Sequence, residues 1–318
     1  MKTSRVLDHF GRGSKRPFRS SWAATLATVF TVSLVSSASA NAQVTLERAE
    51  DTLDIKIDGE LFTTYRFSDS LPKPYFWPVR SVGGAVVTRP IKDPEDHPHH
   101  KGVWIAVDEV NGIKFWGEQG RIVNRELEIL RPAGVTASFR ATNQWEDRNG
   151  KAVLIETTTF TCSTSRLLSL DISLAPAGAE VTFEDTKEGL VGIRLPNGMR
   201  EADAGRVFNA DGLKTAARCW GQPSTWVNYA GPVNGETHGV ALFDHPDNPH
   251  PGRYHVRDYG LFSVNPFGDR AYSNGKKDPS HVHLTSGESY RLRYALFVHA
   301  GAGEPAEINS VFGSWAGK

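Results

Sequence analysis

The chain has 318 residues with 36 basic and 36 acidic side chains, so its formal net charge is zero when histidine is neutral. A chain without a basic excess or basic runs is a poor candidate for nucleic-acid binding, which depends on neutralising phosphates. Two cysteines in this length exclude a disulfide-stapled small scaffold.

The N-terminal segment has the pattern of an export signal. Six basic residues precede a short apolar stretch, residues 23–35, and small residues at 38, 40 and 42 offer a cleavage pattern. That stretch is shorter than the ~20 residues that a membrane-spanning helix needs. We predict a signal peptide over residues 1–42, cleavage near Ala42, and a periplasmic or secreted mature protein. A retained signal anchor is the alternative.

Cleavage would change the charge balance. Residues 1–42 hold six of the 36 basic and one of the 36 acidic residues, which leaves 30 basic against 35 acidic residues and a net charge of about −5. No later segment is apolar for long enough to span a membrane. We therefore expect no nucleic-acid partner and no membrane span in the mature chain. Nothing in the sequence specifies an oligomeric state.

Alternating apolar residues and turn signals predict that the mature chain is mostly β. One hairpin is predicted from residues 53–57 and 61–67 around Asp58-Gly59, and another from 103–107 and 113–116 around Asn111-Gly112. Further strands are predicted at 135–145, 151–161, 166–174, 181–183, 226–229, 239–243, 281–285 and 290–299. Only Pro305 to Trp315 has helical spacing.

Many short strands with regular turn signals predict an all-β fold, a large antiparallel β-sandwich in a single domain over residues 43–318 with a short C-terminal helix. Two long segments, 71–96 and 202–224, are rich in Gly, Pro and aromatic residues, and long ordered loops are commonly functional. Cys162 and Cys219 either pair in an oxidising compartment or are buried as small apolar side chains.

Three histidines fall within four positions: His97, His99 and His100. Imidazole is suited both to proton transfer near neutral pH and to metal binding. A divalent metal would need further ligands, such as Glu118 or His245, to converge with these rings. Acid–base catalysis needs only one or two imidazoles that face a substrate. Proton transfer or substrate binding, a metal site, and a structural role all stay open, and no cofactor is required.

A second polar motif carries His255, Arg257 and Tyr259, and His245 precedes it. Arginine binds carboxylates and other oxyanions through two parallel hydrogen bonds. Tyrosine can donate a proton to a leaving group or stack on a sugar ring. The alternative for Arg257 is a simple ion pair with its neighbour.

Carboxylates and loop tryptophans complete the candidate site. Glu184 begins a charged turn, residues 184–189, and paired carboxylates can act as acid and base when their environments separate their pKa values. The alternative is an ordinary charged turn at the end of a strand, without a catalytic role. Trp77 and Trp220 lie in the long loops, where aromatic faces can dock sugar rings.

We predict that His100 and His255 face one another across a cleft as a proton-transfer pair, since acid–base catalysis needs groups on two sides of a reacting centre. The other predicted catalytic residues are Tyr259, Glu184 and Glu118. The predicted substrate-binding residues are His99, His245, Arg257, Trp77 and Trp220.

The chain also resembles a family of exported bacterial proteins named methane oxygenase PmoA. The resemblance rests on motifs that occur in order at 75–79, 96–100, 111–118, 183–189, 244–246, 255–260 and 265–268. It implies a galactose-mutarotase-like supersandwich and an enzyme that acts on a carbohydrate substrate by hydrolysis, β-elimination or epimerisation, using histidine acid–base chemistry. A non-catalytic saccharide-binding protein and a metal-dependent oxygenase, as the family's name indicates, are the alternatives.

Overall fold

The computed structural model describes residues 42–317, so residues 1–41 of the predicted signal peptide lie outside the described residues. Within this range, none of the helices combines the length and the apolar character that crossing a bilayer requires. The described chain folds mainly into antiparallel strands that form three sheets.

The strands are numbered in chain order, and each sheet is given in its spatial order. The first sheet consists of β18 (Arg253–Val256), β19 (Leu261–Asn265), β14 (Val191–Arg194), β5 (Val103–Ile105), β4 (Tyr75–Val79), β3 (Glu60–Arg66), β2 (Thr52–Ile57), β1 (Val44–Arg48) and β9 (Ala133–Gly134). The second consists of β15 (Arg206–Asn209), β16 (Trp226–Val233), β17 (Glu236–Asp244), β21 (Tyr290–Ala300), β12 (Leu167–Pro176), β11 (Ala152–Ser163), β10 (Thr136–Glu146) and β8 (Arg121–Arg131). The small third sheet consists of β20 (Val282–Leu284), β13 (Val181–Phe183), β6 (Glu109–Val110) and β7 (Ile113–Lys114). The helices are α1 (Ala216–Cys219), α2 (Asp269–Tyr272) and α3 (Pro305–Ala316), with 3-10 turns at Val82–Gly84 and Asn197–Met199.

The two large sheets pack face to face around the main core. Phe76 of β4 contacts Phe139 and Phe160 of the opposite sheet, with ring centroids 6.5 and 5.1 Å away. Further along, Phe262 of β19 packs on Tyr229 of β16 at 5.8 Å. Such aromatic side chains bury large apolar areas, which is the dominant favourable term in folding. The predicted antiparallel β-sandwich is confirmed.

Helix α3 covers the outer face of the eight-stranded sheet. Ile308 is buried, and the rings of Phe312 and Trp315 lie 5.5 and 5.9 Å from that of Phe243. The predicted C-terminal helix is therefore confirmed, one residue longer than expected.

The two predicted hairpins differ in outcome. The hairpin at Asp58-Gly59 is confirmed, because β2 pairs with β3. The second is wrong in its first strand, since β5 pairs with β4 and β14. The short strands β6 and β7 meet around Asn111-Gly112, and beyond them the Trp116 N–H donates to the Val107 carbonyl oxygen at 2.8 Å. A local turn signal identified the hairpin but not the distant partners of Val103–Ile105.

Several strands were not predicted. β8 has many exposed and charged positions, whereas β14 and β19 are buried at every position. None of these strands therefore shows the regular alternation of apolar and polar residues on which the prediction relied. The long segment 71–96 contains β4, and the segment 202–224 contains β15 and α1. Both predicted loops are therefore partly regular structure.

Cys162 and Cys219 are free and buried, so they do not form a disulfide. Burial raises the pKa of each thiol to about 12. They behave as small apolar side chains, which was one of the two alternatives.

Candidate functional site

The site lies on the face of the nine-stranded sheet that points away from the main core. Antiparallel register aligns Trp104 with Gly192, Gly192 with Ser263, and Ser263 with His255, so the four side-chain positions share one face. A Cβ at Gly192 would lie 2.7 Å from the Trp104 ring, which places the indole over β14. Among the described residues, Trp104 Nε1 and Ser263 Oγ are buried without hydrogen-bond partners. This sheet face is polar.

Two arginines fix residues 96–100, here called the histidine loop, onto this face. Arg89 donates from Nη2 to the carbonyl oxygens of His97 and His100 at 2.9 and 3.3 Å, and it also binds the Asp96 carboxylate. Arg194 of β14 donates to Asp96 at 2.9 Å. Burial would raise the pKa of Asp96, but the two guanidinium groups hold it well below its ordinary value. The ionised Asp96 ties the loop to the sheet.

Four rings stack above the arginines. Tyr259, His97, His100 and Trp104 follow one another at centroid distances of 5.3, 4.7 and 5.3 Å, with interplanar angles of 9°, 6° and 15°. The Arg194 guanidinium carbon lies 4.7 Å from the centroid of the Tyr259 ring. His100 and Trp104 are buried, while His97 and Tyr259 reach solvent. The stack therefore presents an aromatic surface on a rigid base.

The two inner histidines are neutral at pH 7. Burial and the Lys73 ammonium lower the pKa of His99 to about 4. Burial, together with the adjacent His99 and Arg194, lowers the pKa of His100 far below its ordinary value. Arg194 Nη1 lies 3.2 Å from Nδ1 of His100. The His99 and His100 rings meet edge to face at 4.5 Å.

Glu118, one of the predicted catalytic carboxylates, is held by two lysines. Lys73 and Lys101 donate to its Oε1 at 2.6 and 2.5 Å. Lys73 also donates to the carbonyl oxygen of His99 at 2.9 Å. Burial would raise the pKa of Glu118, yet the two ammonium groups hold it below its ordinary value. Glu118 supports the histidine loop as a permanent anion.

His255 pairs with Arg257 on the far side of the same sheet face. Arg257 Nε donates to His255 Nε2 at 2.8 Å. Burial and the Arg257 charge lower the pKa of His255 to about 3. Among the described residues, His255 Nδ1 is buried without a hydrogen-bond partner, and the backbone of Lys187 acts in the opposite direction by raising the pKa. His255 is a buried acceptor that orients Arg257.

Tyr259 stacks on His97, and its hydroxyl is influenced by the charges of Arg257, Arg194 and Glu188. Burial raises the pKa of its hydroxyl, while the charges of Arg257 and Arg194 lower it and that of Glu188 raises it. Burial and the neighbouring Asp108 carboxylate raise the pKa of Glu188 itself. A half-buried carboxyl group with a raised pKa is a typical acid–base candidate.

Five polar groups here are not engaged by the protein. We call this set the outer cleft, and it consists of the His99 ring, His100 Nε2, the Tyr259 hydroxyl, the Glu188 carboxyl and the terminal nitrogens of Arg257. Within residues 42–317 none of these atoms has a hydrogen-bond partner, and none is sealed from solvent. Neighbouring polar side chains are tied to one another instead. The outer cleft is therefore where a ligand would find free donors and acceptors.

His100 and His255 share the sheet face but do not contact one another. The strands nearest to them, β5 and β18, are separated by β14 and β19. Three strand spacings of ~4.8 Å put the backbones of β5 and β18 on the order of 14 Å apart. A substrate could lie between the two groups, so the proton-transfer pair stays a prediction.

His245 and Glu184 do not lie in the outer cleft. His245 follows β17 in the other large sheet and packs 4.9 Å from the Trp315 ring of α3. It accepts from the backbone N–H of Asp247 at 3.1 Å. The Glu184 side chain is exposed, whereas that of Glu188 in the same charged turn is half-buried. Glu184 and Glu188 therefore differ in exposure although they belong to the same charged turn.

The two predicted loop tryptophans have different surroundings. Trp77 donates from Nε1 to the Arg89 carbonyl oxygen at 3.0 Å and so braces the histidine loop. Trp220 lies under Arg257, whose guanidinium carbon is 5.8 Å from the ring centroid. Both Trp220 and Arg257 border a cavity of about 410 Å³. Trp220 fits the predicted binding role, and Trp77 fits a supporting one.

The three clustered histidines do not form a metal centre by themselves. The His97 and His100 rings are stacked within 6° of parallel, so their nitrogens do not converge on one point. Across residues 42–317, no group of three or more His, Cys, Asp or Glu side chains is arranged to hold a metal ion.

Arg89, Arg194 and Glu188 were not predicted from the sequence. No local pattern distinguishes the two arginines from surface ones, since burial and contact with Asp96 arise only through sheet register. Glu188 had one usable signal, its place in the charged turn before Gly189.

Comparison with known proteins gives a family and loose structural likenesses. The chain is similar to a galactose 1-epimerase from Lactobacillus acidophilus at 10% identity, over 81% of this chain and 98% of that one, with a TM-score of 0.39. A putative aldose 1-epimerase from Escherichia coli K12 is 12% identical over 81% of this chain and 99% of that one, with a TM-score of 0.36. A β-arabinopyranosidase gives 12% identity and a TM-score of 0.35, over 81% of this chain and 38% of that one.

No curated protein matches the sequence. The resemblance to the methane oxygenase PmoA family stays a prediction. One family profile covers most of the described residues, from 52 to 313, and it is described as a family of unknown function. The chain belongs to this family, DUF6807.

Proposed function

We propose that the protein is an enzyme that acts on a carbohydrate by proton transfer, as a hydrolase, lyase or epimerase. The observation that carries the proposal is the outer cleft, where five polar groups lie free beside an exposed aromatic stack. Concave sites that combine aromatic surface with a few convergent polar groups are the usual form of small-molecule sites.

The chemistry of the outer cleft fits a sugar. Tyr259 and His97 reach solvent at the outer end of the stack, where they offer an aromatic surface to the C–H groups of a pyranose ring. Hydroxyl groups at the ring edge need both donors and acceptors. Arg257 and Tyr259 supply donors there. The neutral His99 ring and the ionised Glu188 carboxylate supply acceptors.

Proton transfer is supported by Glu188. Its raised pKa moves it towards the pH at which a carboxyl group exchanges protons most effectively. Asp96 and Glu118 are locked in ion pairs and are held as anions. Glu188 is the carboxyl group of the cleft that is free to gain and lose a proton.

Turnover of a saccharide panel tests the proposal. Purified protein is incubated with neutral, acidic and keto-sugar oligosaccharides, and products are followed by NMR, which reports new reducing ends, unsaturated sugars and inverted centres. E188Q should lose activity, whereas the matched variant E184Q in the same turn should keep it. Saccharide binding without turnover of any member would establish the non-catalytic alternative. Stoichiometric metal in protein purified without added metal would favour the oxygenase alternative.

We also propose export after cleavage near Ala42. N-terminal sequencing of protein isolated from its native host should begin close to Asn41 or Gln43. An intact Met1 in the mature protein would contradict this.

A further inference from the structure

The ring proton of His100 is fixed on Nε2. Arg194 is always a donor and never an acceptor, and its Nη1 lies 3.2 Å from His100 Nδ1. Nδ1 must therefore carry the lone pair, and a neutral ring then keeps its single proton on Nε2. Burial and the adjacent cations lower the pKa of His100 far below its ordinary value, so the ring does not gain a second proton near neutral pH. His100 presents a permanent N–H donor to the outer cleft.

The surroundings of this donor favour negative charge. Ion pairs around the histidine loop combine four cations with only two carboxylates, namely Arg89, Arg194, Lys73 and Lys101 with Asp96 and Glu118. The excess positive charge is rigidly held behind the ring. Preorganised donors in such a field stabilise an oxygen on which negative charge develops. A neutral imidazole held by its environment can serve as an electrophile of this kind.

We propose that His100 Nε2–H donates to a sugar carbonyl oxygen that becomes an enolate oxygen during the reaction. The substrate class is then a sugar that bears a carbonyl group, either an open-chain aldose or a keto-sugar. The reaction is epimerisation or β-elimination next to that carbonyl and not direct glycoside hydrolysis. This inference rests on the proposed function and narrows it.

The steps balance without an oxidant or a reductant. The Glu188 carboxylate takes the proton from the carbon next to the carbonyl, and the C–H electron pair forms a C=C bond while the carbonyl π pair moves to oxygen. His100 donates a hydrogen bond to that oxygen, while Arg257 binds another oxygen of the sugar. In epimerisation, Tyr259 gives a proton to the opposite face of the carbon, and the proton held by Glu188 returns to the Tyr259 phenolate through solvent. In β-elimination, the enolate re-forms the carbonyl, expels the β-oxygen and leaves a C=C bond, and Tyr259 protonates the departing oxygen.

The tautomer can be measured without any substrate. In protein labelled with ¹⁵N histidine, the His100 ring should show a protonated Nε2 and an unprotonated Nδ1, unchanged between about pH 5 and 8. H100Q serves to assign the signal. A ring that titrates within that range, or that carries its proton on Nδ1, would overturn the inference.

Activity tests the role of the donor. In D₂O, the protein should exchange the hydrogen next to the carbonyl of keto-sugars or open-chain aldoses, with or without elimination. Loss of one oxyanion donor typically costs ~10²–10³-fold in rate, so H100A should fall by about that factor. H100Q, whose amide N–H can replace Nε2–H, should retain at least tenfold more activity than H100A. E184Q should match the wild type.

The outcomes separate this inference from the proposed function. Turnover of ordinary glycosides by hydrolysis, with no exchange in any carbonyl sugar, would overturn the inference and leave a carbohydrate enzyme. Equal losses in H100Q and H100A, both with wild-type melting temperatures, would also overturn it. No turnover of any saccharide would overturn the proposed function, while the tautomer measurement would still report on His100.

Discussion

Two arginine–histidine pairs lie on one face of the nine-stranded sheet, and in each pair the arginine donates a hydrogen bond to the histidine. Arg194 is 1% exposed and donates to His100, whose other nitrogen reaches the outer cleft. Arg257 is partly exposed and donates to His255, which is buried. In the first pair the arginine positions the histidine. In the second pair the histidine positions the arginine.

The difference comes from what surrounds each guanidinium group. Arg194 also binds Asp96, so its charge is satisfied within the fold. Within the described residues, no carboxylate lies within ion-pair distance of Arg257, although Glu188 is near enough to influence it electrostatically. A buried ion-paired arginine stabilises structure, whereas a partly exposed one without a close carboxylate remains available to a ligand. Adjacent histidine motifs in a sequence therefore need not share a role.

The largest effect should come from breaking the first pair. R194M removes the guanidinium group of β14 that contacts both Asp96 and His100. Removing one member of a buried ion pair costs ~3–5 kcal/mol, and the partial exposure of Asp96 favours the lower end. Denaturant unfolding of R194M should show a loss of about 3 kcal/mol. A loss below about 1 kcal/mol would mean that Arg89 alone holds the loop.

Glu188 should carry the largest effect on rate alone. E188Q removes the proton-transfer group while keeping its size, and positioned acid–base groups contribute ~10²–10⁴-fold. We expect a rate loss in that range with an unfolding free energy at pH 7 that does not fall. Wild-type turnover by E188Q would place the acid–base group elsewhere.

Breaking the second pair should affect binding more than the chemical step. H255F keeps the buried volume but removes the acceptor for Arg257 Nε. A displaced binding group of about 1 Å can cost ~10²-fold, and most of this should appear in KM. H255Q, which restores an acceptor, should recover much of the loss. If kcat falls and KM stays constant in H255F, then His255 itself takes part in the reaction.

Local signals in the sequence predicted local structure. The turn Asp58-Gly59 and the apolar spacing of α3 are each short-range patterns, so a local stretch of sequence is enough to predict them. β5 was assigned to the wrong hairpin because its partners, Tyr75 and Gly192, lie 29 and 88 residues away from Trp104. Pairing at that separation leaves no trace in alternation.

The candidate site shows the same limit. The density of His97, His99 and His100 in the sequence pointed to the loop on which the candidate site is built. Arg194 became part of it only because β14 pairs with β5, and its burial could not be read from a strand that is apolar on both sides. His245 was included for its motif, yet β17 carries it to the other sheet.

A smaller effect should appear in the pH dependence of stability. The folded-state pKa of Glu188 is raised, so the native protein holds this proton more tightly than the unfolded chain. Stability should therefore fall as the pH rises from the ordinary value of glutamic acid through the folded pKa. E188Q should remove this part of the decline. An identical slope in E188Q and in the wild type would show that Glu188 ionises freely.

The smallest effect is expected at Glu184, and it decides whether the charged turn acts as one unit. The Glu184 side chain is exposed, and only its backbone N–H is engaged, with the Glu109 carbonyl oxygen at 3.1 Å. Surface substitutions of this kind usually change stability by less than ~0.5 kcal/mol. E184Q should therefore unfold and turn over substrate like the wild type, measured beside E188Q in the same assays. A rate loss in E184Q close to that of E188Q would mean that both carboxylates reach the substrate, because among residues 42–317 no hydrogen bond or ion pair links the Glu184 side chain to the outer cleft.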